Sequence, residues 1–458
     1  MLLSGITSKA QSIDTTFLDM RIREILKYHS VPGVTISIHH KNQFVYNKCF
    51  NQDVEEQITS LPPLYIGSVT KVITAVAIAK LWDMNLLTPD DHLTAFFQRD
   101  ELPPSAYVDQ ITIRHLLHHH SGISKKSGYL HSLEFNGDLR DISIVYPPGQ
   151  KGEYSSANQA ILGMIIEKIS GQTYQKFIEE HIFKPLNMNQ STIPMASDHV
   201  QYQGYCFAYG VPIKTTQMNY GRYIIPAGYA VTTPDDLNKM NIMLLNEGRM
   251  DTVQFIKSEI VKAIFTPFSG GKLGYGMSWG IGNLMGTTKY SHEGMTKISY
   301  ASTVILPEDG YSISVFSNLN TGPFAPITEQ VVETIVASIK GQNPTSDLPW
   351  EMIIRIAFGV LLIKMLFEFG HIIYVWKKAG MPLVFHLNFK NSSSLIFDLL
   401  PLTVLIVLPN LIKVPVMMMF RIMPDIGLSL LIGGILAIPT AFLKIWTKSN
   451  AVAMNQGS

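Results

Sequence analysis

Cysteine is nearly absent: the 458-residue chain holds only Cys49 and Cys206. Two cysteines so far apart build neither a disulfide framework nor a metal cage, and a Cys49–Cys206 bridge is not expected. Charge is scarce as well. Asp, Glu, Lys and Arg make up 16% of the chain and nearly cancel, leaving a formal net charge of +1. A nucleic-acid partner usually needs a basic face, so none is expected. Metal-ligand spacing is missing too. His118, His119 and His120 are consecutive and cannot share one face, and they lack an acidic or His partner at metal-like spacing. No metal and no cofactor is implied.

Apolar residues, by contrast, are plentiful, at 46% with a mean hydropathy of +0.16. The excess lies mostly beyond Pro344, after the polar linker GQNPTSDLP (Gly341–Pro349). Met352–Trp376 spans about 25 residues, or ~37 Å as a helix, against a bilayer core of ~30 Å. Leu395–Ile412 and Ile426–Ile445 are two further apolar runs of near-spanning length. Three in succession are hard to bury in water, so three transmembrane helices are expected over 351–448. Lys377, Lys378 and Lys390 follow the first run, and Lys444 and Lys448 follow the third. The middle loop has Lys413 and Arg421, partly offset by Asp425. Basic residues favour the inner side, which places everything before the first run outside. Lys364 and Glu368 are four apart in the first run and can neutralise each other.

The remaining length divides into a large domain over 1–340 and a linker over 341–350. The opening MLLSGITSKAQS ends in small residues, like a signal-peptide cleavage site, but lacks the long apolar core. It reads either as part of an export signal or as a disordered tail ahead of a helix over Ile13–His29. Val34, Ile36 and Ile38 then alternate with Thr35, Ser37 and His39, a period of two, with a hairpin turn near Lys41-Asn42. A second pair follows late, over Ser299–Asn318, around the turn Pro307-Glu308-Asp309-Gly310. A helical pattern covers Pro326–Ile339. Strands at both ends enclosing a mostly helical middle predict an α+β fold: one sheet built from both chain ends, with a helical lobe inserted.

Ser-x-x-Lys occurs twice, as Ser68-Val-Thr-Lys71 and Ser269-Gly-Gly-Lys272. Val72, Ala75, Val76, Ala79 and Lys80 continue a helical pattern after the first, putting Ser68 and Lys71 one turn apart on one face. The lysine amine can then reach the hydroxyl, and the free N–H groups of a helix start can stabilise an oxyanion. No helical pattern surrounds Ser269. The bland reading of Ser68 is a helix N-cap.

The surroundings favour a nucleophile. YIGSVTK, ITIRHLLHHHSGI, YPPGQKGEYSSANQAILGMIIEKISG, PAGYAVTTPDDL and YSHEGM resemble, in this order, the class C β-lactamase and penicillin-binding protein superfamily. The resemblance covers roughly Met20 to Ile339. It implies a β-lactamase/transpeptidase-like fold with an antiparallel sheet and a helical lobe. Counting back from Leu162-Gly163 puts Tyr154 on the family's tyrosine. Ser156 then replaces the usual asparagine of Tyr-x-Asn, with Asn158 as partial compensation. His292-Glu293-Gly294 stands where many relatives have Lys-Thr-Gly and esterase or peptidase relatives have His-x-Gly. Gly294 would let a substrate backbone approach the strand.

The chemistry implied is acyl transfer. Lys71 and Tyr154 take the proton of Ser68, which attacks an acyl carbon. The N–H groups of Ser68 and Met295 form the oxyanion hole by analogy with the family, and His292 orients or polarises Tyr154. Ser156, Asn158 and Glu293 are the polar candidates for substrate contact. The hydrolase domain followed by three apolar helices resembles prodrug-maturing peptidases that remove an N-acyl-D-asparagine cap outside the bacterial cell membrane. The expected partners are therefore a peptide or acyl-peptide and membrane lipid. A cell-envelope esterase, D,D-peptidase or β-lactamase-related enzyme is the alternative. A non-catalytic penicillin- or peptidoglycan-binding sensor is an alternative of another class.

Overall fold

A computed structural model describes residues 13–51, 62–127, 137–195, 203–208, 211–216, 220–268, 274–322, 327–344, 350–379, 403 and 426–437. The chain forms two compact units: Met1–Cys206 with Lys214–Leu348, and Phe207–Ile213 with Pro349–Ser458.

The first unit is built on a seven-stranded antiparallel sheet. Its strands are β1 (Gly33–His40), β2 (Gln43–Asn51), β3 (Gly274–Tyr275), β4 (Gly280–Leu284), β5 (Thr287–Met295), β6 (Tyr300–Leu306) and β7 (Tyr311–Ser317). Their spatial order is β2-β1-β7-β6-β5-β4-β3. Both chain ends therefore supply the sheet, as the paired period-two segments predict, and β1 lies directly against β7. Both expected turns form, the second with Gly310 at φ +71°.

The alternation in β1 suggests one dry and one wet face, yet Thr35 and Ser37 are as buried as Val34 and Ile36. Helices cover both sides. Helix α1 (Thr15–Tyr28) lies within the expected Ile13–His29, capped by Asp14. The helix α4 (Pro234–Leu245) covers the polar rows with amides. Asn238 donates to Ser37 O at 2.9 Å and accepts from Ser312 and Ser314 hydroxyls at 2.7 and 2.8 Å. Asn241 donates to Thr303 Oγ1 at 2.7 Å. A facing helix thus takes up the β6 and β7 hydroxyls and a β1 carbonyl, while Ser37 Oγ is buried without a partner among the described residues.

Two further helices build the lobe. Helix α2 (Thr70–Asp83) is buried along almost its whole length, as an apolar-all-round helix must be. The helix α3 (Ser156–Ser170) ends at Gly171, in the left-handed region. Helix α5 (Ile327–Lys340) closes the unit, close to the expected Pro326–Ile339.

The expectation of three membrane spans fares differently. Among the described residues no helix is long and apolar enough to cross a membrane. The first run coincides with helix α6 (Trp350–Ala379), whose 30 residues give ~45 Å. Length is therefore sufficient there. Its apolar character is broken by Lys364 and Glu368, whose side chains pair at 3.4 Å. The second run lies outside the described residues except for residue 403. The third is described only over 426–437, a helical stretch of ~18 Å.

Candidate active site

Ser68 sits in a single 3₁₀ turn, Gly67–Val69, that runs straight into α2. It thus precedes the α-helix and its first turn, where the sequence had put it. Lys71 follows one turn later. Its side chain is fully buried, and Nζ lies 3.0 Å from Ser68 Oγ and 2.5 Å from Ala227 O. Burial brings the ammonium from 10.5 down to about 7. A buried amine of that kind is a base at neutral pH, because desolvation penalises only its charged form.

Tyr154 completes the cluster from the segment ahead of α3. Its hydroxyl donates to Ser68 Oγ at 2.9 Å, and Lys71 Nζ lies 5.0 Å above its ring. Tyr154 is 37% exposed and Ser68 is half-buried, so the hydroxyl is reachable from solvent. Ser68, Lys71 and Tyr154 come from two separated segments, and the sequence named all three.

The end of β5 meets the nucleophile turn. A Cβ on Gly294 would come within 1.9 Å of Ile66 O and 2.7 Å of Ser68 N. A Cβ on Gly67, at φ +53°, would in turn come within 2.4 Å of Met295 N. Glycine at 294 therefore admits the nucleophile's own backbone, a closer neighbour than the substrate backbone expected from the sequence. Pairing of β4 with β5 stops at Gly280↔Ser291, so His292–Met295 run past β4 with β6 on their other side.

His292 is buried, and Nδ1 lies 2.7 Å from Glu293 O. A carbonyl only accepts, so Nδ1 carries the proton and Nε2 accepts from Tyr275 Oη at 3.1 Å. Its contact is thus with Tyr275, where the sequence reading anticipated Tyr154. Burial first, and the Lys71 charge second, hold the imidazole down to about 3. It is neutral wherever Lys71 works as a base.

Of the polar candidates, Ser156 is half-buried at the first position of α3. Asn158 is fully buried, and its amide is engaged within the protein. It accepts from Ser121 Oγ at 2.6 Å and contacts His119 Nδ1 at 2.8 Å. That departs from a role in direct substrate contact. Glu293 is half-buried and alternates with His292 along β5. Burial first, and the Glu293 charge second, raise the carboxyl of Glu329 on α5, so Glu293 acts on the α5 side of the sheet. Ser269 and Lys272 lie outside the described residues.

Two site neighbours escaped the sequence reading. Tyr275 lies on the two-residue strand β3, too short to leave a pattern. His119 was weighed as a metal ligand, though its place in HLLHHHSG was the available signal. Among the described residues, no group of three or more His, Cys, Asp or Glu could hold a metal ion.

A nucleophile–amine–phenol cluster at the meeting of an antiparallel sheet and a helical lobe defines a β-lactamase/transpeptidase-like serine hydrolase class. The family model described as Beta-lactamase matches residues 18–335, and the chain belongs to that family. Protein flp of Staphylococcus aureus (strain MW2) is 26% identical over 335 residues, covering 70% of this chain and 66% of that protein. Penicillin-binding protein 4* of Bacillus subtilis (strain 168) is 28% identical over 247 residues, covering 48% and 52%. The chain thus spans about two thirds and about half of these relatives' lengths. Among solved structures, the octameric penicillin-binding protein homologue from Pyrococcus abyssi superposes with TM-score 0.61 at 25% identity, covering 77% of this chain and 82% of that one. The D-amino acid amidase from Ochrobactrum anthropi SV3, complexed with L-phenylalanine, shares the fold at TM-score 0.57 and 19% identity, covering 71% and 99%.

Proposed function

We propose that the chain hydrolyses an amide bond through an acyl-enzyme on Ser68. The observation that carries this reading is the position of Ser68 Oγ, 3.0 Å from Lys71 Nζ and 2.9 Å from Tyr154 Oη. With Lys71 neutral, the Ser68 hydroxyl gives its proton to the amine as Oγ attacks the acyl carbon. The N–H groups of Ser68 and Met295, brought together by the Gly67–Gly294 approach, take up the oxyanion. Such donors contribute roughly 10²–10³ in rate each. Tyr154 passes the proton on to the leaving amine, and water then frees Ser68. His292, with Tyr275, forms the neutral wall behind this cluster.

The substrate class we favour is an extended acyl-D-amino-acid unit. Three features support it: the open run of His292–Met295, which can pair with a main chain; the half-buried Ser156 beside Tyr154; and a fold shared with a D-amino acid amidase. Removal of an N-acyl-D-asparagine cap is the narrow form of this reading. We also propose that the second unit contacts lipid and that the hydrolase faces outward. On α6, Ile353, Ile356, Val360, Ile363 and Phe367 are exposed at helical spacing, forming an apolar stripe.

Labelling with a fluorophosphonate, followed by digestion, tests the nucleophile. Label should fall on Ser68 and vanish in Ser68→Ala. Label on Ser269, or label retained in Ser68→Ala, would overturn the assignment.

A further inference from the structure

We infer that His119 is the positioning residue that holds Tyr154 over Ser68. The inference rests on the hydrolase reading above and adds a residue that takes no part in its chemistry. His119 grips the chain on both sides of Tyr154. Its carbonyl accepts from Glu153 N–H at 2.8 Å, and its Nδ1 accepts from Ser155 N–H at 3.3 Å. Between those two anchors its ring lies against the Tyr154 ring, with centroids 4.5 Å apart. The same imidazole lies 5.3 Å from the Tyr275 ring. One side chain therefore touches both tyrosines of the site.

The imidazole is itself fixed from behind. Asn158 Nδ2 lies 2.8 Å from Nδ1, while Ser121 Oγ donates to Asn158 Oδ1 at 2.6 Å. An amide nitrogen only donates, and so does Ser155 N–H. Nδ1 must accept from both, which leaves the proton on Nε2. Among the described residues Nε2 is buried without a protein partner. A buried donor in this state wants a water or a substrate oxygen. Protonating Nδ1 would break both contacts, and burial, with Lys71 and His292 close by, keeps the ring neutral.

The backbone carries a further sign. His119 has φ +58°, in the left-handed region that non-glycine residues seldom occupy. Strain of this kind persists where surrounding contacts over-determine it, and it clusters at functional sites. A turn needed only for chain reversal could use glycine here. The imidazole is what the strained position delivers to Tyr154.

The test uses the full chain in detergent, with fluorophosphonate labelling of Ser68 as a check on the nucleophile. His119→Gly keeps the backbone conformation and removes the ring and its acceptor. Its kcat should fall by about 10²-fold, the scale of a misplaced acid–base group, with KM within about threefold of wild type. His119→Asn tolerates the same φ and offers Oδ1 near the Nδ1 position, so it should recover about tenfold of that loss. A folded His119→Gly with kcat within about threefold of wild type would overturn the proposal. So would an Asn variant no better than Gly. If neither variant folds, Asn158→Leu removes the support from behind, and an unchanged kcat there would overturn it equally. Absence of label on the wild-type Ser68 would sink the hydrolase reading and this proposal together. Normal labelling with an indifferent His119 would sink this proposal alone.

Discussion

Gly67 and Gly294 leave no room for a side chain on either: an added Cβ would sit 2.4 Å from Met295 N in one case and 2.7 Å from Ser68 N in the other. Two segments more than 200 residues apart in sequence are thereby held backbone to backbone. The contact fixes the nucleophile relative to the strand end that would bind substrate.

Gly294→Ala should therefore act on geometry. Its Cβ would fall 1.9 Å from Ile66 O, a clash that only a backbone shift relieves. Overpacking of this kind costs about 1–3 kcal/mol, and a displacement of about 1 Å costs about 10²-fold in rate. Melting curves and fluorophosphonate labelling rates should both fall. Labelling at the wild-type rate would show that the close approach is dispensable.

The Lys71 amine, brought down to about 7 by burial, sets the pH dependence. Only its neutral form can accept the Ser68 proton, so kcat/KM should rise with pH through about 7 and level off above. The sign for stability follows from proton counts. Between about pH 7 and 10.5 the unfolded chain keeps a proton on this lysine that the folded chain has lost. Stability from this group therefore rises with pH across that window and is flat below it. Lys71→Met removes the slope. It should melt higher than wild type at pH 7 while losing label at Ser68, a trade common at active sites. A lower melting temperature at pH 7 would contradict an unfavourably buried amine.

The second unit is open to a deletion test. Ending the chain at Asn343 leaves nearly all of the first unit, which carries Ser68, Lys71, Tyr154 and His292. The shortened chain should fold and label at Ser68. It should also be released by carbonate from membranes that retain the full chain. Equal release of both forms would remove the case for lipid contact through the exposed stripe of α6.

Much of this site could be read in the chain because its chemistry is local. Ser68 and Lys71 share one turn, and Tyr154 was placed by the resemblance, counting back from Leu162-Gly163 to the family's tyrosine. The sheet was legible from alternation in β1 and from the turn at Gly310. What escaped depends on contacts between distant segments. Asn158 looked like a substrate ligand because sequence does not show that Ser121 and His119 consume its amide. The polar row of β1 looked wet because the helix that covers it, α4 with Asn238, is distant in sequence. His292 found Tyr275 through a strand of two residues that no periodicity could announce. In 351–448 the apolar runs read as membrane spans, whereas among the described residues no helix is long and apolar enough to cross a membrane.

The substrate reading makes the widest claim, and one panel tests it. It comprises N-myristoyl-D-Asn, N-myristoyl-L-Asn and N-myristoyl-D-Ala amides, p-nitrophenyl esters, nitrocefin and a D-Ala-D-Ala peptide. The edge of His292–Met295 that runs past the end of β4 should bind an extended main chain, so amides should outrun simple esters. A D-residue presents its side chain on the opposite side from an L-residue in the same pose. A site built on main-chain pairing should therefore favour one configuration strongly. A site whose polar groups pair with a substrate amide can reject analogues lacking it by roughly 10⁴-fold. Ser156 is shorter than the asparagine of the Tyr-x-Asn pattern it replaces by resemblance, so nitrocefin should turn over poorly. Preferential cleavage after the acyl-D-Asn unit is the expected result. Ester turnover with equal rates on D and L compounds would replace this reading with a general esterase. Stable acylation by β-lactam with no turnover on any compound would favour a binding or sensing role.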